Sequence, residues 1–152
     1  MRRRIIFILS LLLTAAVLAV IFGFSAQPAS ESNGVSKALA KLLAERIPWL
    51  MTKITMRQLN HLLRKLAHFT LYFLLGCGLT GILRASRNGA LILLAVPLGT
   101  LCAALDEWHQ AFVPGRGPGL HDVALDTCGV VTAVALISLF LFLLENRKQA
   151  EK

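Results

Sequence analysis

IIFILSLLLTAAVLAVIFGF, residues 5–24, runs through the whole stretch without one charged side chain. About 20 apolar helical residues are what a hydrocarbon layer of roughly 30 Å demands, so this stretch reads as a membrane span. MRRR in front of it resembles the charged start of a secretory signal, but the apolar part of such a signal usually runs only about 7–15 residues. The stretch is therefore read as an uncleaved anchor. Further along the chain, residues 60–83, 89–109 and 122–144 are again apolar, of helical length, and separated by Gly, Pro or charge clusters. The pattern predicts an all-α membrane protein: four transmembrane helices in a compact bundle, forming one domain over residues 1–152.

The net charge of +8 would suit a nucleic-acid binder, yet the basic residues stand beside the spans and leave no soluble recognition module to carry them, so no nucleic-acid partner is expected. They read as topological signals. Arg2, Arg3, Arg4, Arg84, Arg87, Arg147, Lys148 and Lys152 fall on one side of a four-span bundle. Lys37, Lys41, Arg46, Lys53, Arg57, Arg64, Lys65 and Arg116 fall on the other, an equal number. The triple arginine ahead of the first span breaks the tie, since the first helix usually dominates insertion. The acids Glu31, Glu45, Asp106, Glu107, Asp122 and Asp126 go with the second group. Both termini are then expected in the cytoplasm.

Between the first two spans, Val35, Leu39, Leu42, Leu43, Ile47, Leu50, Met51 and Ile54 recur at helical spacing with Lys37, Lys41, Glu45 and Lys53 among them. Such an amphipathic helix either lies in the membrane interface, its lysines among anionic headgroups, or packs on the bundle. Pro48 should interrupt it. Thr55 and Gln58 have capping-box spacing, so a helix should start at Met56 and run to about Leu83. Its 28 residues would make about 42 Å, longer than the hydrocarbon core. Pro97 should kink the third span. Gly99 with Ala103, Gly129 with Ala133, and Cys77 with Gly81 have the small-xxx-small spacing that lets membrane helices approach closely. Cys77, Cys102 and Cys128 all fall within spans and read as small packing residues.

DEWHQAFVPGRGPGLHDVALD, residues 106–126, gathers the ionisable chemistry. On the second span His61, Arg64 or Lys65, His68, Tyr72 and Gly76 succeed one another by a turn. Asp106, His109 and Gln110 make a comparable stripe on the third, and Asp122, Asp126 and Gly129 on the fourth. An ionisable side chain at membrane depth costs about 2.5–3.5 kcal/mol on insertion scales, so such groups face the bundle interior and pair. A pocket between three helices, opening outward, is the economical arrangement. The turn-rich loop VPGRGPGLH could fold over it and set Arg116 against an acid or a ligand phosphate. Blander readings exist: Arg64 and Lys65 can snorkel, Asp122 can stabilise a helix start, and His109 and His121 can be interfacial. Asp126 and His68 resist them, lying well inside their helices.

Arg64 to Gly76, R-K-x-x-H-F-x-x-Y-x-x-L-G, followed by D-E-x-x-Q-x-F-x-P-G-R-x(5)-D-x(3)-D-x-x-G from Asp106 to Gly129, resembles the VanZ-like family of bacterial multi-pass membrane proteins. That family is named for a member linked to resistance to the glycopeptide teicoplanin. F-S-A-Q, Phe24 to Gln27, is similar to the family's F-S-x-Q at the end of its first span. The family usually has Asn where this chain has Asp126. The resemblance implies a bacterial plasma-membrane protein whose polar motifs sit near the outer face, in a cell-envelope or antibiotic-response context, and it implies no reaction.

Three functions fit these residues. The first is binding of a lipid-linked or amphiphilic envelope ligand beside membrane lipids, through Arg64, Lys65, His68, Tyr72, Gln110 and Arg116. The second is a membrane enzyme acting on a phosphate or acyl group, with His68, Asp106, Glu107, Asp122 and Asp126 as acids, bases or ligands of a divalent metal. HExxH, GxSxG, Walker and paired CxxC patterns are all absent from the sequence. The third is a structural bundle glued by buried hydrogen bonds.

Overall fold

The computed structural model describes residues 1–85 and 89–150, without the side chains of residues 2, 29, 31–33, 89 and 90. Arg87 and Lys152, both counted as topological charges, lie outside the described residues, as do the side chains of Arg2 and Glu31. Among the described residues five α-helices form: α1 (Arg2–Ser25), α2 (Ala29–Arg46), α3 (Met56–Arg84), α4 (Ala95–Gln110) and α5 (Leu120–Ala150). Four stretches are long and apolar enough to cross a membrane: Arg3–Ser25, Met56–Arg84, Leu91–Gln110 and Leu120–Ala150. The chain is a multi-pass membrane protein of all-α class.

Local chemistry sets the helix ends. At α3 the Thr55 amide donates to Gln58 Oε1 at 2.8 Å and the Gln58 amide donates to Thr55 Oγ1 at 3.3 Å, the reciprocal box expected from the sequence. Pro48 ends α2 at Arg46 and opens a short 3-10 turn, Pro48–Thr52. The third span begins with a 3-10 stretch, Gly89–Leu94, so α4 starts only at Ala95 and Pro97 falls in its first turn. There its missing N–H has no partner to lose, so nothing forces a kink.

α3 is the central rod, packed against α5, α1, α2 and α4. Its contact with α5 depends on residues almost without side chains. A Cβ on Gly129 would stand 2.6 Å from the Phe69 carbonyl oxygen, and one on Gly76 would stand 2.9 Å from Ala133 Cβ. The backbones therefore meet directly, which in lipid, where no hydrophobic gain separates helix from acyl chain, is what holds helices together. Gly99 admits Val130 in the same way between α4 and α5. α1 seats Thr14, Val17 and Ile21 in the interior and abuts Gly78 and Gly81 of α3. Gly81 was expected to pair with Cys77 as a small-residue step; the glycine that shares the α1 contact is Gly78. Large apolar residues such as Leu139, Phe140 and Phe142 stay exposed, the surface expected of helices solvated by hydrocarbon.

α2 buries Ala40 completely and packs on α3, yet leaves Val35, Leu39 and Leu42 exposed. The helix thus has one face against the bundle and a second, partly exposed apolar face that carries Val35, Leu39 and Leu42.

Candidate functional site

The end of the bundle formed by the last turn of α1, the start of α3, the end of α4 and the start of α5 carries the polar residues. The loop 111–119 closes it. Val113, Pro114, Gly115 and Arg116 make a turn with the Arg116 amide donating to the Val113 carbonyl at 3.1 Å and Gly115 at φ 75°. Proline second and a left-handed glycine third are what a type II turn requires. Two further bonds strap the loop down: the Gly119 amide donates to Glu107 Oε2 at 2.7 Å, and Arg116 Nη2 donates to the Phe24 carbonyl at 2.7 Å. The expectation that Arg116 meets an acid is corrected here. Its guanidinium donates to the Phe24 carbonyl, which also accepts from the Gln27 amide at 3.3 Å, and its charge complements the dipole at the C-terminus of α1.

Beneath the loop lies a partly open cleft with a cavity volume of about 180 Å³. Arg64, Lys65, His68, Gln110, Arg116 and Asp122 supply its polar lining, and Phe24, Val35, Leu39, Leu63 and Leu71 its apolar walls. Lys65 Nζ forms an ion pair with Asp122 Oδ1, and both side chains are about a quarter exposed. Asp122 sits in the first turn of α5, where the helix dipole also favours it. Arg116 lies where burial, then the nearby Arg64 charge, lower its pKa, with Asp106 and Glu107 opposing. Three cations around one mouth, with one acid committed to Lys65, leave the cleft predominantly positive.

Asp106, Glu107 and Asp126 do not line this cleft. They form a second layer, 1%, 4% and 0% exposed. Asp106 Oδ2 accepts from Gln110 Nε2 at 3.0 Å, one turn along α4. Asp126 Oδ2 lies 3.5 Å from His68 Nδ1, at ion-pair range but outside hydrogen-bonding geometry. Ligating atoms of His68, Asp106 and Asp126 all fall within 4.8 Å of one another. Tyr72, one turn beyond His68 on α3, is 1% exposed and within electrostatic reach of Asp106, Asp126 and Glu107. His68 borders both layers. This set can hold an anionic head group at the mouth and, behind it, a proton or a cation between carboxylates.

The sequence expectation was one pocket between three helices; the structure draws the cleft from five helices and divides the charges by depth. Asp122 and Asp126 face different layers because one turn of helix separates them. His61, His109 and His121 are exposed, and His109 stacks on Phe22 with ring centroids 6.4 Å apart. None of the three belongs to the cleft lining. The apolar walls were missed from sequence. Val35 and Leu39 had the spacing of a helix face, but only the fold shows that this face borders Arg64. Phe24 stood in the F-S-A-Q stretch without an assigned role.

No curated protein and no solved structure matches the chain. The model of the VanZ/LLP1 family matches residues 7–142, nearly the whole length and every element of both layers. The chain is a member of the VanZ/LLP1 family.

Proposed function

We propose that the protein binds an amphiphilic, lipid-linked envelope ligand with an anionic head group, in the bacterial plasma membrane, with the cleft on the outer side and both termini in the cytoplasm. One observation carries this reading: Arg64, Lys65 and Arg116 line a cleft whose apolar walls include Phe24, Leu63 and Leu71. Guanidinium groups match phosphate oxygens in fork geometry, and the apolar wall suits a hydrocarbon tail. The exposed Val35, Leu39 and Leu42 of α2 support a helix resting among acyl chains at the interface, so that a lipid could enter beside it without leaving the membrane.

A second reading, transfer chemistry on a phosphate or acyl group, draws support from His68 alone, which borders both the cleft and the buried carboxylates and so could move a proton at a bound head group. One experiment addresses both. Membranes containing the protein are irradiated with a photo-reactive phospholipid, and the labelled peptide is mapped by mass spectrometry. Binding predicts labelling in α2 or α3 that falls at least about tenfold when Arg64 and Arg116 are both changed to Ala, corresponding to about 1.4 kcal/mol or more. Unchanged labelling refutes the binding function. A His68→Gln variant that still labels but no longer alters the ligand's mass would favour transfer chemistry.

A further inference from the structure

We infer that His68, Asp106 and Asp126 form a binding site for one divalent first-row transition metal, zinc or manganese, in the layer behind the cleft. The inference stands on this cluster itself and not on occupancy of the cleft.

Two buried carboxylates at membrane depth are the starting point. Asp126 is fully buried, and neither of its oxygens accepts a hydrogen bond from the described residues; Asp106 Oδ1 is likewise without a partner. Side by side, two such groups repel and forfeit their hydration, a cost relieved either by a proton held between them or by a cation. The three cations nearby belong to the cleft and not to this layer: Lys65 pairs with Asp122, Arg116 donates to the Phe24 carbonyl, and Arg64 lines the cleft wall. His68 alone brings at most one charge against two.

An independent sign comes from Tyr72. Its hydroxyl is buried with no hydrogen-bond partner, and it stands within electrostatic reach of both aspartates. Phenols buried in apolar surroundings normally find a partner. Among the described residues, a hydroxyl and three carboxylate oxygens buried without hydrogen-bond partners in one neighbourhood mark it as a place where a polar or charged guest belongs.

The geometry suits a small ion. Bonds of about 2.1 Å in a tetrahedron put neighbouring ligand atoms about 3.4 Å apart. His68 Nδ1 and Asp126 Oδ2 are already 3.5 Å apart, and no pair in the set exceeds 4.8 Å. Side-chain rotation of the aspartates closes the rest. The donor set decides the metal: an imidazole beside two carboxylates suits zinc or manganese better than magnesium or calcium, which favour oxygen alone. A divalent ion also cancels the charge of the two aspartates. His68 lies at the border with the cleft, so an open coordination position would face it.

The test uses the full chain, purified in lipid nanodiscs through a tag without histidines. Metal content is measured by plasma mass spectrometry; the protein is then stripped with a chelator and titrated with zinc, manganese or magnesium chloride while thermal unfolding is followed. The inference expects one zinc or manganese ion per chain, a lower unfolding midpoint after stripping, and recovery with zinc or manganese but not with magnesium at the same concentration. Asp126→Asn and His68→Gln should each weaken the metal by more than the roughly 10–100-fold that loss of a supporting partner costs. His109→Gln, at an exposed imidazole, should leave it unchanged. Metal-free protein whose midpoint no ion shifts would overturn the inference and leave a shared proton as the link between the aspartates. Metal retained undiminished in both His68→Gln and Asp126→Asn would overturn it as well. None of these readings depends on lipid labelling, so the metal site and the cleft can fail separately.

Discussion

Gly129 offers the sharpest test of how the site is held. A methyl group there would stand 2.6 Å from the Phe69 carbonyl oxygen and 3.0 Å from the Phe73 amide nitrogen, where ordinary contact begins at 3.4 Å. The shortfall of about 0.8 Å is against the backbone of α3, which has no rotamer to turn away. Overpacking of this kind costs about 1–3 kcal/mol, while Gly→Ala inside a helix returns up to about 1 kcal/mol in propensity. Gly129→Ala should therefore lose about 1–2 kcal/mol. Gly34→Ala is the matched control: it lies in α2 with nothing within 4 Å of the new methyl, so the propensity gain should appear unopposed. At about 2–4 °C per kcal/mol for a chain of this size, the two variants should melt about 5 °C or more apart. Thermal unfolding in detergent, followed by tryptophan fluorescence, reads the difference. Gly129→Ala as stable as the parent protein, with Gly34→Ala raised as expected, would refute direct backbone contact between α3 and α5.

Two further outcomes follow from the cleft. Lys65→Met and Asp122→Asn, alone and together, should show a coupling of about 1 kcal/mol or more in a double-mutant cycle of thermal stability, because the pair is mostly shielded; strictly additive effects would deny that pair a role. Gly117→Cys, in the exposed loop, should react with a membrane-impermeant maleimide in intact cells, whereas Gln149→Cys should react only after permeabilisation. The reverse pattern would put the cleft on the cytoplasmic side.

The four spans and the cap at Thr55 were legible because each rests on local chemistry: an uncharged run of sufficient length, or a hydroxyl three residues before an amide. The sequence marked Pro97 as a disturbance of the third span but could not place the 3-10 stretch that precedes Ala95. The stripes on α3, α4 and α5 named most polar residues of the two layers, though not Glu107, Arg116 or Ser36. Periodicity assigns a face but not a depth, so Asp122 and Asp126 were placed together. Arg116 was expected against an acid or a ligand phosphate; its acceptor within the chain belongs to α1, and no rule of sequence spacing reaches across 92 residues. The part played by α2 was hidden for the same reason, since an apolar wall for a ligand and an apolar face for lipid have the same periodicity.

The bond from Arg116 to the last turn of α1 also orders biosynthesis. α1 leaves the ribosome first, but its Phe24 carbonyl must wait for a loop made 92 residues later, after two more helices have entered the bilayer. Until α5 is also inserted, Lys65 has no Asp122 and the nascent chain must carry its charges at the headgroups, where water still reaches them. Assembly of the cleft is thereby a late, post-insertion event, and a chain stalled before residue 116 would present the translocation machinery with hydrophobic rods that have nothing yet to close around.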